Sequence, residues 1–257
     1  MLSPTFLTLP DRELKPRSRG ITHVIDGGVG VAEARSMLGA SSAHMDIWKF
    51  GWGTAYLDGG LADKVALLAA SQVVSCLGGT LLEIAWAQGR TDECLDWAQS
   101  AGIAAVEVSR GLVSMSLNDK RQLIQRAQKQ FVVLSEVGSK DPSVAVRADE
   151  WGTEAIGDLE AGARWVVMEG RESGTVGLYS SDGAVRKDVV GAIERSTGID
   201  KVIFEAPRKE QQVWFIQQFG PDVNLGNIPL SGTLSLETLR RGLRADTWNT
   251  LRQPVVV

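Results

Sequence analysis

The chain has 257 residues, 44% of them hydrophobic and 23% charged, which is the range of a soluble globular protein with a substantial core. A formal net charge of -4 gives no electrostatic case for a nucleic-acid partner. Cys76 and Cys94 are too few for a disulfide framework, and His23 and His44 do not fall in a zinc-ligand spacing.

The first stretch, MLSPTFLTLPDRELKPRSRG, is apolar first and basic later, the reverse of a secretory signal. No apolar run approaches the roughly 18 residues that cross a bilayer. A cytoplasmic protein with no membrane partner is the expectation. Pro4, Pro10 and Pro16 make residues 1–19 an extended arm rather than a helix. Such an arm lies loose or crosses a neighbouring subunit, and a homo-oligomer is expected. No linker or composition shift divides residues 20–257, which read as one domain.

From there the pattern alternates. Short apolar runs ending in glycine or charge read as strands: ITHVID, MDIWKF, VVSCL, AAVEVS, FVVLSEV, RWVVME, KVIFEA and DVNLGNI. Amphipathic stretches separate them. TDECLDWAQSAG starts at Thr91 and stops at Gly102. SLNDKRQLIQRAQKQ offers Ser116 as N-cap with Asp119 three residues on, and Leu123, Ile124 and Ala127 as its apolar stripe. TLSLETLRRGLRAD places Leu236, Leu239 and Leu243 on one face and Arg240, Arg241 and Arg244 on a solvated one. Eight βα units in this length predict a (β/α)8 TIM barrel. The rival is a doubly wound open sheet, but IDGGVGVAEA only loosely matches the dinucleotide-binding fingerprint.

Four consecutive strands carry a glutamate at or near the C-terminal end: Glu107, Glu136, Glu169 and Glu205. A barrel gathers such ends into one mouth, where active sites lie. Like charges packed this closely need cations, a metal or raised pKa values. Lys49, Lys140, Arg171, Arg208 and Lys209 lie on the same rim, and oxygen ligands without His or Cys suit magnesium. The mouth therefore reads as a site for a phosphorylated or carboxylated small molecule. GGT at 78–80, together with Asn224, Gly226 and Asn227 at the eighth strand, adds backbone and amide groups for an anion. Trp48 and Trp52 flank Lys49; the core is the expected place for them, with one walling the pocket as the alternative, and Cys76 reads as structural.

KFGWGT (49–54), GGTLLEIA (78–85), LSEVGSKD (134–141), VVMEGRESG (166–174), IFEAPRKEQQ (203–212) and SLETLRRGLRADT (235–247) together resemble the phosphosulfolactate synthase family. The resemblance implies a barrel enzyme that adds sulfite to C3 of phosphoenolpyruvate in a magnesium-dependent step. The product would be (2R)-O-phospho-3-sulfolactate. It implies Lys140 as general acid to C2. Glu136, Glu169 and Glu205 would then serve the magnesium ion or its water shell, with Glu136 and Arg171 counted as catalytic. Lys49, Arg171 and Arg208 would hold phosphate, carboxylate or sulfite, and Glu172 would orient Arg171. Asp26, Ser109, Arg110, Asn224 and Asn227 complete the expected substrate contacts.

Departures from the family pattern fall on that rim. Gly27 stands where a lysine is common, Arg110 where an aspartate is common, Ser139 where a lysine is common, and Cys76-Leu77 where Tyr-Pro is common. Either Arg110 restores across the mouth the cation lost at Gly27, or the acceptor or nucleophile has changed. A non-catalytic, stress-associated protein on the same scaffold is the third expectation.

Overall fold

The computed structural model describes residues 6–138 and 147–251. Strands β1 (Thr22–Asp26), β2 (Ile47–Phe50), β3 (Val74–Leu77), β4 (Ala105–Val108), β5 (Val132–Val137), β6 (Trp165–Met168), β7 (Val202–Glu205) and β8 (Leu225–Pro229) pair in parallel, in chain order, into a closed barrel. Around it lie α1 (Val31–Ser41), α2 (Thr54–Leu57), α3 (Leu61–Ala70), α4 (Gly79–Ala87), α5 (Thr91–Ser100), α6 (Leu117–Ala127), α7 (Ala148–Glu160), α8 (Lys187–Thr197), α9 (Lys209–Phe219), α10 (Thr233–Arg240) and α11 (Ala245–Leu251). The (β/α)8 expectation holds, and all eight expected runs carry strands. No helix among the described residues is long and apolar enough to cross a membrane.

Strand residues alternate between two environments, as the pleat requires. Val24, Trp48, Phe50, Val106, Val133, Val166 and Phe204 face the helices and belong to the larger core. Ile21, Ile47, Cys76, Ala105, Leu134, Val167 and Ile203 form a separate cluster inside the barrel. Two residues further along five of those strands come Lys49, Glu107, Glu136, Glu169 and Glu205. The period of two that builds an apolar floor thus also raises a charged layer directly above it.

Local signals behave as chemistry dictates. Ser116 caps α6, its Oγ accepting the Asp119 N–H at 3.1 Å. Leu123, Ile124 and Ala127 are buried on that helix. Gly102, with φ of 77°, follows the end of α5.

Two expectations fail at the N-terminal end of the barrel. Arg12 pairs with Asp222 at 2.9 Å and Glu237 at 3.3 Å, Arg17 pairs with Asp46 at 2.9 Å, and Lys15 donates to the Ser42 carbonyl at 3.0 Å. This part of the arm is tied down rather than loose. Arg240 is not on a solvated face: it is fully buried, and Leu243 is exposed. Helix α10 stops at Arg240, so helical spacing does not carry on to Leu243. The Arg240 guanidinium instead donates to the carbonyls of Pro221, Val223 and Ile21. Burial, then the nearby Arg12 charge, pushes its pKa down to about 9.

Candidate active site

A cavity of about 420 Å³ opens at the C-terminal end of the barrel. Lys49, Glu107, Glu136, Glu169, Arg171, Glu205 and Asn227 all line it. Of the residues singled out in the sequence, these converge; Lys140 and Ser139 lie outside the described residues.

Lys49 is the electrostatic centre. It is 4% exposed, and its Nζ lies 3.2 Å from both Glu107 Oε2 and Glu205 Oε1. Burial works to lower its pKa, but the carboxylates of Glu107, Glu205, Glu136 and Glu169 outweigh burial and hold it well above the ordinary range. Lys49 is thus a fixed cation, already engaged by protein carboxylates from β4 and β7.

The stretch VVMEGRESG resolves into a turn built around two carboxylates. Arg171 adopts φ of 54°. This turns its backbone N–H toward Glu169 Oε1 at 2.7 Å and Glu205 Oε2 at 3.1 Å. Gly170 N–H also reaches Glu205 Oε2, at 2.9 Å. A Cβ on Gly170 would lie 2.8 Å from the Glu205 carbonyl and 2.6 Å from Tyr179 Cε2, so only glycine fits. The carboxylates therefore orient the main chain of Arg171 and leave its guanidinium at the cavity rim. Among the described residues Arg171 and Glu172 form no ion pair, and both are exposed at that rim.

Glu205 accepts from Lys49, Gly170 and Arg171 together, so both of its oxygens are committed. Among the described residues no three His, Cys, Asp or Glu side chains converge at metal-ligand spacing. Glu136 and Glu169 also line the cavity, and a lining of carboxylates fits magnesium, an ion that takes one or two of them beside water and substrate oxygens.

Five expected substrate contacts are directed elsewhere. Asp26 is fully buried: Oδ1 accepts the N–H of Gly28 and Val29, and Oδ2 accepts from Trp48 Nε1 and from Lys64 Nζ at 2.7 Å. Asn224 precedes β8, at the opposite end of the barrel. It receives the Ile21 N–H at 2.9 Å and donates to the Asp200 and Val202 carbonyls. Ser109 donates to Glu83. Arg110 turns outward into a forked pair with Glu154, at 3.0 and 2.7 Å, and does not line the cavity. It therefore does not replace across the mouth the cation lost at Gly27. Arg208 precedes α9 and lies against Gly183.

Several site-shaping residues were not expected. Glu83, in the apolar GTLLEIAWA helix, accepts the N–H of Leu112 at 2.6 Å and of Val113 at 3.1 Å, and so moulds the loop after β4. Lys64, inside the apolar stripe of α3, pairs with Asp26 and with Asp58 at 2.5 Å. Lys120 bonds the Glu136 carbonyl at 2.7 Å from behind β5. A charge embedded in an apolar helical stripe is the signal all three share. Trp48 is in the core, and Trp52 takes the alternative place: it lines the cavity and is 47% exposed. His23 is fully buried, and burial, then Lys49, lowers its pKa well below the usual value.

The family model described as (2R)-phospho-3-sulfolactate synthase (ComA) matches residues 10–246. The chain is 44% identical over 248 residues to a phosphosulfolactate synthase of Methanothermobacter thermautotrophicus, covering 94% of this chain and 96% of that one. It is 41% identical over 245 residues to a phosphosulfolactate synthase of Bacillus subtilis, covering 94% and 97%. Among solved structures, 3-hexulose-6-phosphate synthase from Salmonella typhimurium aligns with a TM-score of 0.56 at 14% identity, over 90% of this chain and 95% of that one. At that identity the likeness concerns the fold alone.

Proposed function

The chain belongs to the (2R)-phospho-3-sulfolactate synthase family, and from that premise we propose that it adds sulfite to C3 of phosphoenolpyruvate to form (2R)-O-phospho-3-sulfolactate. The observation that carries this reading is the layer of Lys49, Glu107, Glu136, Glu169 and Glu205 with Arg171 at its rim, all lining one cavity.

The chemistry sets three demands. An acceptor with a carboxylate and a phosphate must be held, the negative charge that appears on C2 and its carboxylate after sulfite adds to C3 must be stabilised, and a proton must reach C2 from one face. Arg171 meets the first: its planar fork suits carboxylate or phosphate, and its backbone is fixed by two carboxylates. Lys49 supplies permanent positive charge to the cavity floor. Glu136 and Glu169 would hold magnesium, which when bound supplies positive charge to the substrate carboxylate. Lys140, three residues past β5 in the chain, is the proposed acid to C2. Asn227, whose Oδ1 is buried with no hydrogen-bond partner among the described residues, adds a polar group to the wall.

A second reading also has an observation behind it. Because Arg110 is held by Glu154, the rim at Gly27 has lost a cation without recovering it from Arg110. That favours a different anionic acceptor or nucleophile on the same scaffold. One experiment separates the two readings: a phosphorus NMR time course with phosphoenolpyruvate, sulfite and magnesium, repeated after chelation. Conversion of the enol phosphate into an alkyl phosphate ester, lost on chelation, is the expected result. No conversion, with phosphoenolpyruvate still raising the thermal midpoint, selects the second reading.

A further inference from the structure

The cavity has two unlike halves. From β5 to β8 it is charged or polar: Glu136, Glu169, Arg171, Glu205 and Asn227. From β1 to β4, above Lys49 and Glu107, it is lined by Ile25, Trp52, Leu112, the glycine turn Gly78-Gly79 and the uncharged Thr80. Strands β2 and β6 are diametrically placed in an eight-stranded barrel, so Trp52 and Arg171 face each other across the mouth.

Trp52 is held there against local preference. Its φ is 51°, a region a bulky residue rarely adopts. Among the described residues four non-glycines have a left-handed φ, and three of them, Trp52, Arg171 and Asn227, line this one cavity. Such backbone persists only where the surroundings over-determine it. Here Gly51 N–H bonds the Asp26 carbonyl at 2.9 Å, and Gly78 N–H bonds the Phe50 carbonyl at 3.1 Å. A Cβ on Gly78 would lie 2.6 Å from the Phe50 carbonyl and 3.2 Å from the Trp52 nitrogen. The indole rests beside Gly27, 3.5 Å from where a Cβ would stand. Leu112 is fixed from the other side, through its N–H to Glu83. Both residues remain about half exposed, at 47% and 55%, on backbone held by these hydrogen bonds.

We infer that Trp52 and Leu112 form a steric wall that sets acceptor specificity, admitting an enol phosphate whose C3 is an unsubstituted methylene and excluding one with a larger C3. This rests on the reading above that the acceptor is an enol phosphate. Phosphate and carboxylate belong on the charged half, opposite the wall. That orientation turns the uncharged methylene toward Trp52 and Leu112, while sulfite enters from the open mouth. An extra methyl group on C3 meets indole and leucine that the turn and Glu83 keep from retreating. Trp52 and Leu112 carry no charge, so the wall governs which acceptor fits and not the charge chemistry.

The test compares phosphoenolpyruvate with its 3-methyl analogue in wild type, W52A, L112A and W52F. Binding of each is measured by titration calorimetry with magnesium, and turnover with sulfite by phosphorus NMR. Wild type is expected to prefer phosphoenolpyruvate, and each alanine variant to narrow that preference by roughly 10-fold or more, the scale on which a pocket wall discriminates one carbon. W52F retains most of it. L112A, on an exposed loop, carries the test if W52A does not fold. An equal loss for both acceptors, leaving their ratio unchanged, overturns the wall, as does a wild-type chain with no preference. Because the binding ratio needs no sulfite, failure of sulfite addition and failure of the wall are read separately.

Discussion

Lys49 Nζ sits 3.2 Å from Glu205 Oε1, while the other oxygen of that carboxylate accepts the N–H groups of Gly170 and Arg171. One buried ion pair therefore connects β2 to β7 and, through the glutamate, to the turn that presents Arg171. Charge placement and backbone shape at the mouth are a single construction.

Replacing Lys49 by methionine removes the cation that Glu107 and Glu205 share in a buried layer. The expected cost is about 3–5 kcal/mol, read as a fall in thermal midpoint, with turnover lost. The double variant K49M/E205Q should recover part of that stability. A double variant no more stable than K49M would show that the pair is not what the lysine stabilises.

Arg171→Ala keeps the backbone N–H bonds to Glu169 and Glu205 and removes only the guanidinium. Stability should stay near wild type, while kcat/KM for phosphoenolpyruvate falls roughly 10- to 100-fold, the scale of a hydrogen-bonded charged group. Arg171→Lys should restore only part, because an ammonium lacks the fork. Unaltered steady-state kinetics in the alanine variant would remove Arg171 from substrate binding.

Gly170→Ala places a methyl group against the Glu205 carbonyl and the Tyr179 ring. The β6 terminus must move away from β7, which breaks the Gly170 N–H bond to Glu205. Activity should drop with only moderate loss of stability, and hydrogen exchange should rise at Gly170 and Arg171. Unchanged exchange at both amides would show that the strand ends absorb the methyl without parting.

Glu154 has its pKa below the ordinary 4.5, because Arg110 and Lys120 together outweigh the upward push of burial. A depressed carboxylate contributes stability that is complete above its unfolded pKa and is lost as pH falls through the folded one. The stability advantage of wild type over E154Q should therefore be full at neutral pH and shrink below about pH 4.5. Urea titrations at several pH values measure it, and an advantage constant with pH would mean that the carboxylate is not charged in its pair.

The barrel was legible because its signals are local and repeated. Each strand is an apolar run ended by glycine or charge, and the period of two that puts Ile203 on the floor puts Glu205 in the mouth. Glu107, Glu136 and Glu169 were found by the same count. Asn224 misled because a strand written DVNLGNI does not show where pairing begins; pairing starts after it, leaving its amide at the far end. Asp26 and Arg110 misled for another reason: their partners, Lys64 and Glu154, sit on helices 38 and 44 residues away. No local pattern links such pairs, and only the packed helices decide whether a rim charge faces the substrate or its own scaffold. Arg240 shows the same limit, since its helical spacing marks a face but not where the helix stops.

Arg240 also marks the seam where the barrel closes. Its guanidinium holds the carbonyl of Ile21, just ahead of β1, together with that of Val223, just ahead of β8. Synthesis runs from the N-terminus, so β1 emerges long before β8, the strand that pairs with it across this seam. Until β8 follows, a nascent chain holds its first strand beside an empty place, with unpaired backbone groups along the edge. Edges of that kind recruit other strands. The interval between completion of β7 and arrival of β8 is therefore when this chain is most exposed to mispairing, and when a chaperone would matter most.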